Sequence, residues 1–215
     1  MKYINKIAFT IFTIITLYTQ TSLALTNKTA IIKEAKSYLA AMKSIAADFT
    51  QTDPNGAKHH GKLLLSKPHD FRCNYYPPYP LLITSSKNFI TLYDYEMSQI
   101  SRIPAKENLL TYLLAGDENL DKYFKILDAN EQNGKLLLIV ETKDDDRRAH
   151  VEFDKAKRTL SKIELVDLNG NITSIKFSNY VNVNAFNPDL FIIKNPDMFG
   201  PPARLTKEQI EKKYR

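Results

Sequence analysis

The sequence predicts a mainly β protein with few helices, built as one large curved antiparallel sheet or an incomplete barrel. Three observations lead there. Ten or more short apolar-patterned segments follow one another at spacings of roughly 8–12 residues. Tight-turn chemistry separates them: Pro54-Asn55-Gly56, Asn133-Gly134, Asn169-Gly170 and the polar run Lys143 to Asp146. Strands joined by such turns run antiparallel. Only two stretches carry a long apolar helical pattern, so helices can cover one sheet face or fill its concave side.

Residues 1–24 read as an export signal. Lys2 and Lys6 form a basic start, Ile7 to Leu17 an apolar core of 11 residues, and Ser22-Leu23-Ala24 a small-residue cleavage site. The core is short for a bilayer span. Residue 25 is Leu, not the Cys that a lipid-modified protein needs, so the mature chain from Leu25 is expected to be released and soluble. Its 191 residues suffice for one domain with a substantial core.

An amphipathic helix opens this domain. Thr26 or Asn27 can cap it, and Ile31, Ala35, Tyr38, Met42, Ile45 and Phe49 follow spacings of four and three, with Ile32, Leu39 and Ala46 beside them. Near Phe49 the pattern turns from helix to strand. Strands are then expected at 47–52, 60–66, 70–76, 80–85, 88–94 and 97–103. A helical interruption follows at 105–116. Further strands are expected near 123–129, 135–142, 147–154, 159–167, 171–181 and 190–193.

Charge and cysteine content narrow the function classes. Without residues 1–24 the formal charge falls from +6 to +4, and Arg204 to Arg215 holds +3 of that. The body is nearly neutral and carries no basic stripe interleaved with aromatics, which argues against nucleic-acid binding. The basic tail, 204–215, reads as a short solvated helix or frayed end that could also touch an anionic membrane or partner. Cys73, the only cysteine, has no internal disulfide partner and alternates with Phe71 and Tyr75 as a small apolar wall residue.

Reaction chemistry finds little support. His59 and His60 are adjacent on a strand, point to opposite faces and make poor co-ligands. His69 and His150 stand alone. No G-x-S-x-G, H-E-x-x-H or phosphate-cradling glycine loop occurs. Six glycines in 215 residues leave little room for one. Neither metal nor cofactor is expected.

In its order of residues the mature chain resembles the LolA family, periplasmic carriers of outer-membrane lipoproteins. The leading helix, Ala47-Asp48-Phe49-Thr50-Gln51, Gly61 with Leu63, Leu65, Lys67 and Pro68, and Phe71-Arg72 with Tyr75 carry the resemblance. Pro80 to Thr84, Leu92-Tyr93-Asp94-Tyr95 with Gln99, Asp167 to Thr173, Phe177, Asn179, Asn184 and Pro196 extend it. Departures are Lys67 where the family usually has Arg, Cys73 where an aromatic is expected, the lack of Trp, and the basic tail.

The resemblance implies an unclosed antiparallel β-barrel of about eleven strands with an α-helical lid over its apolar face, one carrier domain over 25–203. It implies a monomer, free of nucleotide and metal, that takes acylated lipoproteins from an inner-membrane ABC transporter and passes them to an outer-membrane receptor. Strand alternation then makes Leu63, Leu65, Phe71, Ile83, Phe89 and Ile100 candidates for the cavity wall, although each could equally fill a sealed core. Leu109, Leu110, Leu113 and Leu114, after Pro104, are candidates for the lid. Lys67, before Pro68, matches the family's lid-latching Arg and would form a looser latch, or else is a solvated lysine beside a strand-ending proline. The competing classes are a fixed lipid- or protein-binding domain of the same fold, and a secreted hydrolase with dispersed catalytic residues.

Overall fold

The computed structural model describes residues 27–213, apart from residues 87, 106–108, 116–119, 145 and 205. The expected export signal, the Thr26 cap and Asp145 lie outside the described residues.

Residues 27–41 form helix α1. Ile31, Ala35, Tyr38 and Leu39 make its buried stripe, as the spacing predicts. The helix ends earlier than the periodicity suggests. Met42 and Lys43 turn the chain, and β1 (Ser44–Thr52) already contains Ile45 and Phe49. Both residues stay buried, because an every-fourth apolar pattern also serves an alternating strand.

Five hairpin-connected strands follow: β2 (Lys58–Ser66), β3 (Asp70–Tyr75), β4 (Leu81–Ser86), β5 (Phe89–Asp94) and β6 (Gln99–Pro104). A helical segment at 109–115, whose Thr111–Ala115 part is π-helical, and the short α2 (Leu120–Tyr123) interrupt the sheet. The chain re-enters it as β7 (Phe124–Gln132), β8 (Lys135–Thr142), β9 (Arg148–Asp154), β10 (Thr159–Val166) and β11 (Ile172–Asn182). Asn133 (φ 53°) and Gly134 (φ 71°) both occupy the left-handed region, which a two-residue turn between β7 and β8 requires.

The strands form one antiparallel sheet in the order β6-β5-β4-β3-β2-β1-β11-β10-β9-β8-β7. β1 and β11 join the two halves, and β6 and β7 are the two edges of an unclosed sheet. The expected strand at 190–193 is absent: Pro188–Phe191 is a 3₁₀ turn capped by Asn187. It lies across the sheet instead of joining it. Two short helices end the described chain, α3 (Pro196–Phe199) and α4 (Lys207–Lys213).

Both faces of the first half are covered. The inner face carries α1 and the 109–115 segment in one large apolar core. Tyr38 of α1 packs edge-on against Phe153 of β9, and Lys28 and Lys36 tie the helix to Asp128 and Asp121. The outer face of β1–β5 is covered by the segment after β11. Phe186 and Phe191 pack on Ala46 and Leu64, and Ile193 packs on Leu82 and Tyr93. The outer face of β8–β10 is instead a ladder of ion pairs. Lys162 meets Glu164 at 2.9 Å, Lys135 meets Asp154 at 3.3 Å, and His150 meets Glu164 at 3.4 Å. That ladder is where the polarity of the second half of the sequence goes.

Candidate functional site

Between the inner face of the first half and the 109–115 segment lies a small apolar hollow with a cavity volume of about 50 Å³. Phe49 of β1, Phe71, Cys73 and Tyr75 of β3, Ile83 of β4 and Ile90 of β5 form its floor. Ile175 and Phe177 of β11 close one side, and Leu110 and Leu114 cover it. Antiparallel register explains the convergence: Phe49 stands opposite Phe177, and Cys73 opposite Ile83. Among the described residues, no charged side chain lines this hollow. Burial pushes the Cys73 thiol up to about 12, so it stays protonated and acts as wall.

Phe71, Ile83, Leu110 and Leu114 thus come together at the hollow. Leu63 and Leu65 share the inner face but are fully buried in the core and do not line it. Leu109 and Leu113 are also buried, packed into the same core. Phe89 and Ile100 require correction. Phe89 is 54% exposed and Ile100 36% exposed, both on the outer side. The hairpin register pairs Ser85 with Ile90 and Ile90 with Ile103, so β5 and β6 present Ile90, Leu92 and Ile103 inward. A shift of one residue moves every side chain to the other face, and Phe89-Ile90 offers an apolar residue in either phase.

Tyr75 continues the Phe71–Cys73 alternation into the site, whereas Phe49, Ile90, Ile175 and Phe177 belong to it although alternation along single strands does not single them out. Phe49 and Tyr75 are held together across a glycine. Phe49, Gly61 and Tyr75 are in register on three adjacent strands, and the two rings meet edge to face at 4.9 Å. The Tyr75 hydroxyl donates to Gln51 Oε1 (2.6 Å), and Gln51 donates to Asp53 (2.6 Å). Asp53 in turn pairs with His59 at 3.0 Å, and the His59 ring stacks on Tyr79. His60 instead meets Thr50 Oγ1 on its own, so the two adjacent histidines are indeed separated. Among the described residues, no cluster of three or more His, Cys, Asp or Glu is arranged to hold a metal ion.

Lys67 closes the turn after α1. Its Nζ donates to Leu39 O at 2.8 Å, and its main-chain N–H donates to Lys43 O at 2.8 Å. Pro68, beside it, is exposed. A cation at the last carbonyls of a helix also complements the helix dipole. No helix of the described residues is long and apolar enough to cross a membrane.

The family model for LolA, the outer membrane lipoprotein carrier protein, matches residues 40–194. An uncharacterized protein of Rickettsia prowazekii is 42% identical over 192 residues, covering 89% of each chain. An outer-membrane lipoprotein carrier protein of Chromobacterium violaceum is 27% identical over 187 residues, covering 84% of this chain and 88% of its own. The crystal structure of a LolA superfamily protein from Nitrosomonas europaea is similar with a TM-score of 0.46 and 11% identity, covering 78% of this chain and 98% of its own.

Proposed function

Because the chain belongs to the LolA family of outer membrane lipoprotein carrier proteins, we propose that it binds the acyl chains of lipoproteins in the hollow beneath the 109–115 segment. On this reading residues 1–24 direct export, cleavage follows Ala24, and the mature protein works in the periplasm. It receives cargo from an inner-membrane ABC transporter and delivers it to an outer-membrane receptor, with no chemistry of its own.

The observation that carries the proposal is the hollow itself: apolar on every side, without a charged lining residue, and covered by Leu110 and Leu114. Its cavity volume of about 50 Å³ is smaller than an acyl chain needs, so on this reading the cargo enters only as the cover moves away. The energetics suit a carrier. An acyl chain of about 14 methylenes gains roughly 11 kcal/mol on leaving water, at ~0.8 kcal/mol per group. A site must match most of that gain to hold the cargo, yet release it to the next acceptor. A wall of Phe, Ile and Leu under a short movable cover supplies apolar contact without the directional bonds that would trap the ligand. The 109–115 segment is such a cover, and opening it exposes the hollow.

Leu114→Asp tests the assignment. A carboxylate introduced over the hollow costs about 3 kcal/mol on cargo binding, roughly a 100-fold loss, measured with an acylated lipoprotein. Binding at wild-type strength would remove the hollow from the mechanism. Handover is read separately, by incubating the loaded protein with outer-membrane fractions. Tight binding with no transfer would favour a fixed lipid-binding domain of the same fold over a shuttle.

Lys67 is the proposed latch, acting through α1. Leu39 belongs to the same large apolar core as Leu109, Leu113 and Leu114, and on this reading the end of α1 limits how far the cover can move. Lys67→Arg places a planar five-donor fork where a flexible ammonium now stands. Cargo transfer to acceptor membranes is expected to slow several-fold while cargo binding holds; a transfer rate equal to wild type would exclude the latch.

A further inference from the structure

We infer that the loop from Leu190 to Ala203 is a membrane-docking element that inserts its tip into an anionic lipid bilayer. The inference stands on the outer face of the sheet, away from the hollow, and does not depend on what the hollow carries.

One buried side chain closes the loop. Arg72 of β3, on the outer face, donates from Nη1 to Leu190 O at 3.0 Å and from Nη2 to Ala203 O at 3.3 Å. The chain therefore leaves and returns to the same guanidinium, as in a compact Ω-loop. The limbs are anchored as well. Phe191 and Ile193 are buried against the sheet, and Arg204 donates to Tyr79 O at 2.6 Å with its guanidinium over the Tyr95 ring.

The tip is equally ordered, and it points its apolar residues outward. Asn195 Oδ1 accepts from the Asp197 N–H, and Gly200 (φ 74°) donates to Pro196 O at 2.8 Å. This short, doubly capped turn holds Met198 75% exposed and Phe199 65% exposed, with Ile192 51% exposed on the rising limb. A loop selected only to cover the sheet would fold such residues down beside Ile193. Here capping fixes them in water, where exposed apolar groups are unfavourable.

The occupant follows from size and charge. A stable protein interface buries on the order of 800 Å² per partner, far more than one two-residue tip offers. A bilayer interface accepts a small apolar wedge flanked by cations. Lys194 lies 5.6 Å from the Phe199 ring centre, with its ammonium beside the wedge. From Ile192 onward the sequence has six basic residues (Lys194, Arg204, Lys207, Lys212, Lys213, Arg215) against three acidic ones (Asp197, Glu208, Glu211). The apolar tip, the Lys194 ammonium beside it and the basic chain that follows the loop together fit an anionic leaflet.

The protein contains no tryptophan, so Phe199→Trp creates a single reporter at the tip. With the otherwise unaltered mature chain, vesicles of phosphatidylcholine and phosphatidylglycerol are expected to shift its emission to shorter wavelength. Vesicles of phosphatidylcholine alone are expected to shift it far less. The double substitution Met198→Ser with Phe199→Ser should reduce flotation with anionic vesicles about tenfold, leaving thermal stability and acyl-chain binding unchanged, because neither side chain packs in a core. Unshifted emission on anionic vesicles, equal response to neutral vesicles, or flotation of the double variant at the wild-type level would each overturn the inference.

Discussion

Gly61→Ala is expected to destabilise the protein by about 3 kcal/mol, at the upper end of the cost of overpacking. That corresponds to a thermal midpoint lower by roughly 6–12 °C for a domain of this size. A Cβ on Gly61 would meet the Asn74 carbonyl oxygen at 2.5 Å and the Phe49 ring at 2.5 Å. The first contact is with the backbone of the neighbouring strand, which cannot yield without disturbing the β2–β3 ladder. The second is with a ring wedged against Tyr75. An opposing effect exists, since replacing Gly by Ala stabilises through the unfolded chain, but it amounts to only ~0.4–1 kcal/mol. The steric effect therefore wins.

The same substitution reports on the hollow. Gly61 lets the Phe49 ring lie flat on the strands, an arrangement in which an aromatic side chain covers a strand glycine. A methyl group there pushes the ring toward the space that the proposed cargo would fill. Thermal melts and cargo titrations on Gly61→Ala should both show loss, and adding Phe49→Leu should restore part of each by removing the ring. A melt unchanged within error would mean that this close approach does not govern the packing.

Arg72→Met is expected to have an effect of similar size through the opposite face. Methionine keeps the length and much of the volume of the side chain, so what is removed is the guanidinium. Two part-buried bonds from a charged donor to main-chain carbonyls, at the lower end of ~1.5–3 kcal/mol each, suggest a loss of about 3 kcal/mol. The segment from Val183 to Thr206 should loosen first, because Leu190 and Ala203 lose a shared anchor. Limited proteolysis is expected to cut within that segment while the sheet core stays protected. A variant with wild-type melting and an intact C-terminal segment would show that Phe186, Phe191 and Ile193 hold it without the arginine.

These two positions show what was legible beforehand. Gly61 and Arg72 are both among the residues that carry the family resemblance, yet nothing local in the sequence reveals why either is needed. Gly61 matters because Phe49 and Tyr75 flank it on neighbouring strands. Arg72 matters because carbonyls 118 and 131 residues away come to it. The wall residues divide in the same way. Phe71 and Ile83 fall on the hollow and Leu63 and Leu65 in the core, although all four read alike as inward strand residues. Phe89 and Ile100 fall outside because hairpin register chose the other phase.

By itself the sequence determined the mainly antiparallel β class, nearly every strand and turn, the buried stripe of α1 and the helical interruption between β6 and β7. Those features follow from turn chemistry and alternation, which act over a few residues. Tertiary structure alone decided which face of β5 and β6 looks inward, which apolar residues border empty space and which fill the core. It also decided that the last part of the chain straps the outer face under Arg72 rather than adding a strand. Each of these outcomes depends on pairing register and on contacts between residues more than a hundred positions apart, and local pattern carries no information about either.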